Sequence, residues 1–479
     1  PHILCQWLSR SRRRRRLYIP LQSTGTDHML IKIIGEHIET GEQRRFYMDN
    51  QTGRIADDVF EPSAATSRKS ISDNRKVGPF KRIKIQLGLS CNYECSYCSQ
   101  RFVERPPETS KKDIDDFMSM FDALPKVDGA FRVEFWGGEP LVYWKTLKPL
   151  AERIRGQYPQ ATFSMISNGS LLTHEIVDWL DFMGFGVSIS HDGPGQSVRG
   201  PDPFVENIEV FRYLLQKLTS QRVGFSSMLN RQNQSRKAIV EYYEALFPGE
   251  QIMHNEMDLI DAHDEGGLDS IDFALTEHFQ IRRDMWAEAR FNPQILDRCS
   301  GQRGKISALV LKNGSESREL PDEWLESGAN MKCGMDVDGN IALDLRGNVM
   351  TCQNTSAVAV SDNGKSHKIG HATDLLGIRM ETSMHWTERP HCAGCPVLSM
   401  CKGSCMFLDG DNWHKSCDAQ FSNNVALFAL AFEKVTGFVP VAFDVEHLPK
   451  HRQDIWGSRF DWSHEQEKPK HKMIRIKEV

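Results

Sequence analysis

The sequence has no apolar stretch long enough to cross a membrane. Its longest uninterrupted run, Val425 to Phe432, is far short of the ~20 residues a spanning helix needs. It has no excess of positive charge either. Fifty-nine basic against 64 acidic residues leave a net charge of −5, so no global field draws nucleic acid. Tandem repeats and low-complexity tracts are missing. Charged residues at 26% and apolar residues at 39% are ordinary for a globular chain, which excludes disordered, collagen-like and small disulfide-stapled classes. A secretory signal is also lacking: the basic run Arg12 to Arg16 leads through Leu17, Tyr18 and Ile19 straight to Pro20, with no apolar core. The expectation is a cytoplasmic chain with no nucleic-acid or membrane partner. Residues 1–28 are expected to be a solvated or non-native extension.

Cysteine, by contrast, is abundant. Twelve occur in 479 residues, and ten of them cluster. In a reducing compartment disulfides are rare, so clustered thiols point to metal ligation or catalysis. Length alone predicts two to three structural units. Residues 29–79 read as an N-terminal hairpin and linker. From residue 80 a strand–helix rhythm begins, with strands at 82–87, 131–136, 162–167, 186–190, 222–229 and 252–260. Helices intervene at 111–124, 141–155, 173–183, 204–218 and 235–246. Such alternation implies an α/β fold with a parallel sheet. Over residues 80–260 it fits a partial (β/α)6 barrel, whose chemistry sits at the C-terminal strand ends. Residues 261–330 read as a bridging region, 331–436 as a small cysteine-rich domain held by metal, and 437–479 as a charged C-terminal tail.

After the first barrel strand comes Cys91-Asn-Tyr-Glu-Cys95-Ser-Tyr-Cys98. Three thiols in eight residues can converge on one metal centre. Zinc with three thiolates and a fourth ligand is one reading. An iron–sulfur cube with one iron left without a protein ligand is the other. From Cys333 to Cys417 lie seven more cysteines: Cys333-x13-Gly347-x4-Cys352, then Cys392-x2-Cys395-x5-Cys401-x3-Cys405, then Cys417. Thiolate suits both zinc and iron, so softness does not separate a two-site zinc module from iron–sulfur clusters.

The C-x3-C-x-aromatic-C spacing, with Tyr97 as the aromatic, resembles the radical S-adenosylmethionine (SAM) superfamily. Gly137-Gly138-Glu139-Pro140 after the second strand resembles that family's glycine-rich SAM-amine motif. Ser167-Asn168-Gly169 ends strand three, and Ser190-His191-Asp192-Gly193-Pro194 ends strand four, followed by Arg199. The resemblance implies SAM contacts at Tyr97, Gly137, Gly138, Glu139, Pro140, Ser167, Asn168, Ser190, Arg199 and Asn230. The Glu139 carboxylate suits a cation, and His191 reads as a core or surface residue. The seven downstream cysteines with Gly347 resemble the SPASM extension of peptide- and protein-modifying members. That resemblance implies two auxiliary iron–sulfur clusters beside the [4Fe–4S] cluster on Cys91, Cys95 and Cys98. Cys392, Cys395, Cys401 and Cys417 would hold one; Cys333, Cys352 and Cys405 would hold the other, with Cys299 a candidate fourth ligand. Cys5 carries no assignment.

The implied activity is that of a radical SAM oxidoreductase. It cleaves SAM reductively and takes hydrogen from a peptide or protein, which it oxidises or crosslinks. Its electrons would come from a donor such as ferredoxin or flavodoxin. The same chemistry on a small molecule is an alternative, and a non-enzymatic zinc- or cluster-bearing module is another. Sulfatase-maturing relatives carry an Asp after the glycine-linked cysteine. Here Gln353 follows Cys352, and it cannot serve as a base. Asp336, Asp338 and Asp344 are nearby carboxylates, and the catalytic base stays unassigned.

Overall fold

The computed structural model describes residues 30–61, 75–314, 331–360, 364–380, 385–389, 391–457 and 459–462. The expected extension 1–28, much of the linker, the end of the bridge and residues 463–479 lie outside the described residues. Two sheets organise the rest. The smaller contains β1 (Leu30–Glu36), β2 (Gln43–Asp49) and β3 (Ile55–Ala56), antiparallel in sequence order.

The larger sheet is built on β4 (Arg82–Gln86), β5 (Arg132–Trp136), β6 (Thr162–Ser167), β7 (Phe185–Ser190), β8 (Val223–Ser226) and β9 (His254–Glu256). These six are parallel and lie in sequence order. Helices α1 (Ile114–Ala123), α2 (Trp144–Gln157), α3 (His174–Phe182), α4 (Pro203–Arg222, interrupted at Asn207 and Thr219) and α5 (Arg236–Leu246) make the crossovers. Alternation in the strands explains the layering. Ile83, Ile85, Val133, Phe135, Phe163, Met165, Val187 and Ile189 are buried on one face. Lys84, Gln86, Glu134, Ser164, Ser188 and Ser190 make the opposite face polar. Helix starts are written locally. Ser110 and Asp113 form a capping box ahead of α1, and the hydroxyls of Thr173 and Ser235 accept from the first turns of α3 and α5.

Residues 261–314 hold four helices: α6 (Glu265–Ile271), α7 (Leu275–Phe291), α8 (Pro293–Arg298) and α9 (Ser300–Asn313). Beyond them, β10 (Asn340–Asp344) pairs in parallel with β4, with Ala342 opposite Lys84. Antiparallel β11 (Asn348–Met350) and β12 (Lys368–His371) extend the same sheet to nine strands. The barrel sheet thus runs on into the cysteine-rich region. After the short α10 (Leu398–Cys401), the 27-residue α11 (Gly410–Thr436) packs on α7 and α9.

The C-terminal segment is a correction. It was expected to be a charged tail, yet β13 (Val439–Phe443) pairs with β1, placing Phe443 opposite Ile33. After α12 (Lys450–Trp456), the chain buries Trp456, Phe460 and Trp462. The Trp456 indole stacks on Phe421 of α11 at 4.9 Å and 10°. Its apolar residues are spaced among charges, so composition hides them. Each large ring still removes 150–250 Å² from water, roughly. Among the described residues no helix is long and apolar enough to cross a membrane.

Candidate functional site

The loop after β4 carries Cys91, Cys95 and Cys98, all at least partly accessible and all free thiols. Cys98 N–H donates to the Cys95 carbonyl at 3.1 Å, and Ser96 N–H to Val198 at 2.9 Å, which curls the loop against the strand-four turn. Cys91 and Cys98 are electrostatic neighbours of Cys95. Burial pushes the Cys95 thiol up to about 11, while the Arg199 cation works in the opposite direction.

Beneath the thiols lies a buried polar triad. Tyr97 donates its hydroxyl proton to Asp192. The Arg199 guanidinium donates to the Tyr97 oxygen at 2.9 Å and lies 3.8 Å from Asp192. Asp192 also accepts Met228 N–H at 2.9 Å. Burial alone would depress Arg199, but Tyr97, Asp192 and Cys95 outweigh it and hold the guanidinium protonated. Asp192 was legible in the strand-four turn motif and was not singled out. Among the described residues, Arg199 Nε and Asn230 Nδ2 are buried donors with no partner. Such orphans are costly unless a ligand satisfies them. Ser190 stands half-buried at the end of β7, opposite Ser226.

The Gly137–Pro140 turn is braced through its carboxylate. Glu139 is buried and accepts three hydrogen bonds. Leu141 N–H (3.0 Å) and Ser167 hydroxyl (2.8 Å) donate to one oxygen, and Asn168 N–H (2.7 Å) to the other. Burial raises its pKa and these three donors oppose that rise. Glu139 therefore staples the ends of β5 and β6 together. Asn168 continues the brace to Asn92 in the cysteine loop at 2.9 Å. The glycines serve close approach: a Cβ on Gly138 would stand 2.5 Å from the carbonyl oxygens of Leu89 and Ser90. Gly138→Ala is expected to cost about 1–3 kcal/mol by overpacking and to weaken SAM binding. Thermal unfolding and equilibrium SAM titration check this; an alanine variant equal to wild type in both removes the close-approach role.

The other seven thiols separate into two sets. Cys392, Cys395, Cys401 and Cys417 are buried and together line one narrow pocket with Phe421 and Trp456. Burial, then Cys401, pushes the Cys392 thiol up to about 12. Cys333 and Cys405 are electrostatic neighbours of each other and of Cys352. Cys401 and Cys405 are four residues apart yet belong to different sets. Lys402, Gly403 and Ser404 between them all have left-handed backbone (φ 53°, 79° and 61°), which turns the chain back. Among the described residues no three His, Cys, Asp or Glu side chains stand close enough to share a single metal ion. The four sulfurs face one common space.

Neighbouring polar and buried residues have partners of their own. Gln353 is held from β4: Gln86 Nε2 donates to its carbonyl at 2.6 Å, and Lys84 Nζ to its side-chain oxygen at 3.2 Å. Lys84 also lies 3.6 Å from Glu134, so one ammonium links the polar sheet face to the Cys352 loop. Asp344 caps its own turn through Arg346 and Asn348 N–H, and Asp336 accepts Met331 N–H. His191 is a core residue, fully buried and stacked on Phe204 at 4.0 Å, its Nε2 3.0 Å from Asp202. Cys299 is equally buried, 3.5 Å from Met257 sulfur.

Comparison with known proteins then fixes the frame. The family model of the radical SAM superfamily matches residues 85–242, from β4 through α5. These residues are a radical SAM domain. The curated radical SAM cyclopropyl synthase TigE of Paramaledivibacter caminithermalis is 25% identical over 170 residues, 32% of this chain and 36% of that protein. The chain thus spans about a third of that relative's length. A solved structure of native anSMEcpe with bound AdoMet and Kp18Cys peptide superposes at TM-score 0.51 and 16% identity, covering 74% of this chain and 99% of that one. Native anSMEcpe with bound AdoMet gives 0.50 at 15%, over 74% and 99%. These likenesses cover a larger share of the chain than the radical SAM family match does.

Proposed function

We propose that the chain is a SPASM-type radical SAM oxidoreductase that takes hydrogen from a peptide or protein and oxidises or crosslinks it. One observation carries the reading: ten cysteines sort into sets of three, three and four around the radical SAM sheet. Cys91, Cys95 and Cys98 would hold a SAM-binding [4Fe–4S] cluster, and the other sets two auxiliary clusters. When bound, these groups supply reductive SAM cleavage to a 5′-deoxyadenosyl radical and a route for the substrate's second electron. The protein supplies placement. Arg199 offers a protonated donor and Asn230 its side-chain N–H to the anionic and polar parts of SAM. Gly137, Gly138 and Pro140 hold a tight turn beside the thiol loop, braced by Glu139, Ser167 and Asn168. The polar sheet face, with Glu134, Ser164 and Ser188, gives a substrate backbone hydrogen-bonding partners. A solved structure of similar fold is named with a bound peptide, which supports that substrate class. A low-potential donor such as ferredoxin or flavodoxin would supply the electron.

Anaerobically reconstituted protein should be brown and carry about twelve irons if all three sets hold cubes. Colourless protein binding only zinc would return the chain to the binding-module alternative. Cys395→Ala should retain part of the SAM cleavage and lose substrate turnover. Mass spectrometry of a candidate peptide after anaerobic incubation reads the turnover, and an unchanged product yield removes the role of the four-thiol set.

A further inference from the structure

A four-iron cube has four corners, and the Cys333, Cys352 and Cys405 set provides three thiols. The sequence offers Cys299 as the missing ligand. The structure does not, because that thiol is fully buried with Met257 against it and has Arg236 and Asp258 as its charged neighbours. A different side chain stands at the set. His263 Nε2 lies 3.6 Å from the Cys405 sulfur.

The loop that carries His263 is clamped on both sides. Ala262 N–H donates to the Ser416 hydroxyl, next to Cys417, at 2.9 Å. The Asp261 carboxylate accepts the Ser404 hydroxyl, next to Cys405. Arg389 holds the Cys405 carbonyl at 2.8 Å. The imidazole is also fixed in tautomer. Its Nδ1 lies 3.0 Å from the Asp261 carbonyl oxygen. A carbonyl only accepts, so Nδ1 carries the proton and, in the neutral ring, Nε2 carries the lone pair. That is the arrangement of a metal-ligating histidine, whose far nitrogen donates to a carbonyl or carboxylate. As a thiol, Cys405 can satisfy that lone pair with its proton. Once Cys405 binds iron as thiolate, that proton goes to solvent and Nε2 is left with an unsatisfied acceptor facing the cluster. Asp261 is the rival oxygen donor, but its carboxylate is engaged by Ser404.

We infer that His263 is the fourth protein ligand of the Cys333/Cys352/Cys405 cluster, binding iron through Nε2. This rests on the proposed auxiliary clusters. Mixed imidazole–thiolate ligation raises a cluster's potential relative to all-thiolate ligation. It would also close this cluster to substrate.

The test uses the full chain, reconstituted with iron and sulfide without SAM and labelled with ¹⁵N-histidine. Pulsed electron paramagnetic resonance of the reduced protein should show the strong coupling of a directly bound imidazole nitrogen. The coupling should persist in the Cys95→Ala background, where the first cluster is absent, and in His391→Ala, which removes the histidine next to Cys392. It should vanish in His263→Ala with the iron content retained to within about one cube, and His263→Cys should lower the potential of one cluster. A full iron complement with no histidine coupling, or only the weak coupling of a nitrogen hydrogen-bonded to sulfur, overturns the ligand assignment and leaves the auxiliary clusters standing. Iron for the first cluster alone overturns the auxiliary clusters and this assignment together. The labelled wild-type protein is decisive by itself should His263→Ala fail to fold.

Discussion

Cys95→Ala is expected to abolish 5′-deoxyadenosine formation and to remove about four irons, with the fold retained. The physical grounds are local. Cys95 sits in a loop whose curl is set by backbone bonds, Ser96 N–H to Val198 and Cys98 N–H to Cys95 carbonyl, which an alanine keeps. Its side chain is only half-buried, so truncation opens no core cavity. What is lost is the middle thiol of three mutually close ones, beside the protonated Arg199 that favours its thiolate form. Two thiols from one loop cannot hold a cube against solvent. Anaerobic turnover with dithionite, read by chromatography of 5′-deoxyadenosine, measures the effect. A variant that cleaves SAM at the wild-type rate would place the radical chemistry elsewhere.

The largest expected effect on stability lies at a residue with no chemistry of its own. Asp258, just beyond β9, is fully buried. Lys305 Nζ reaches one of its oxygens at 2.9 Å and Lys332 Nζ the same oxygen at 3.3 Å. Gln302 (2.7 Å) and Asn423 (3.2 Å) donate to the other. One carboxylate thus ties the end of the radical SAM sheet to α9, to α11 and to the residue before Cys333. Burial works to raise its pKa, but the two ammonium groups win and hold it well below the usual carboxylate range. Asp258→Ala strands two lysines facing each other and should cost about 3–5 kcal/mol. The sign of the pH dependence follows from the depressed pKa. The contribution is full above the unfolded value of ~3.9 and is lost as pH falls through the folded value. The stability gap between wild type and Asp258→Asn should therefore be widest near neutrality and narrow in acid. Guanidinium unfolding across pH reads both effects, and an Asp258→Ala midpoint equal to wild type would refute the hub.

Strands β4 to β8 and helices α1 to α5 were legible because their signals are local: alternating burial, capping side chains and turn glycines. The thiol loop and the Gly137–Pro140 turn were legible for the same reason, since spacing within a few residues carries their chemistry. Residues 437–462 were misread because no short window shows that Val439–Phe443 completes a sheet begun at Leu30. The three donors gathered on Glu139 are not legible in the sequence, because they come from residues 2 to 29 positions away that meet only in the folded sheet.

By itself the sequence determined the chemistry available to this protein: which thiols exist, how closely they follow one another, and that a parallel sheet presents the first three at its strand ends. Tertiary structure alone decided which distant groups meet. It set β10 beside β4, aimed His263 at Cys405, and gathered two lysines from separate segments on Asp258. The reason is that spacing and periodicity report a residue's neighbours in the chain. Pairing between segments hundreds of residues apart depends on burial and charge balance that exist only once the chain has closed on itself.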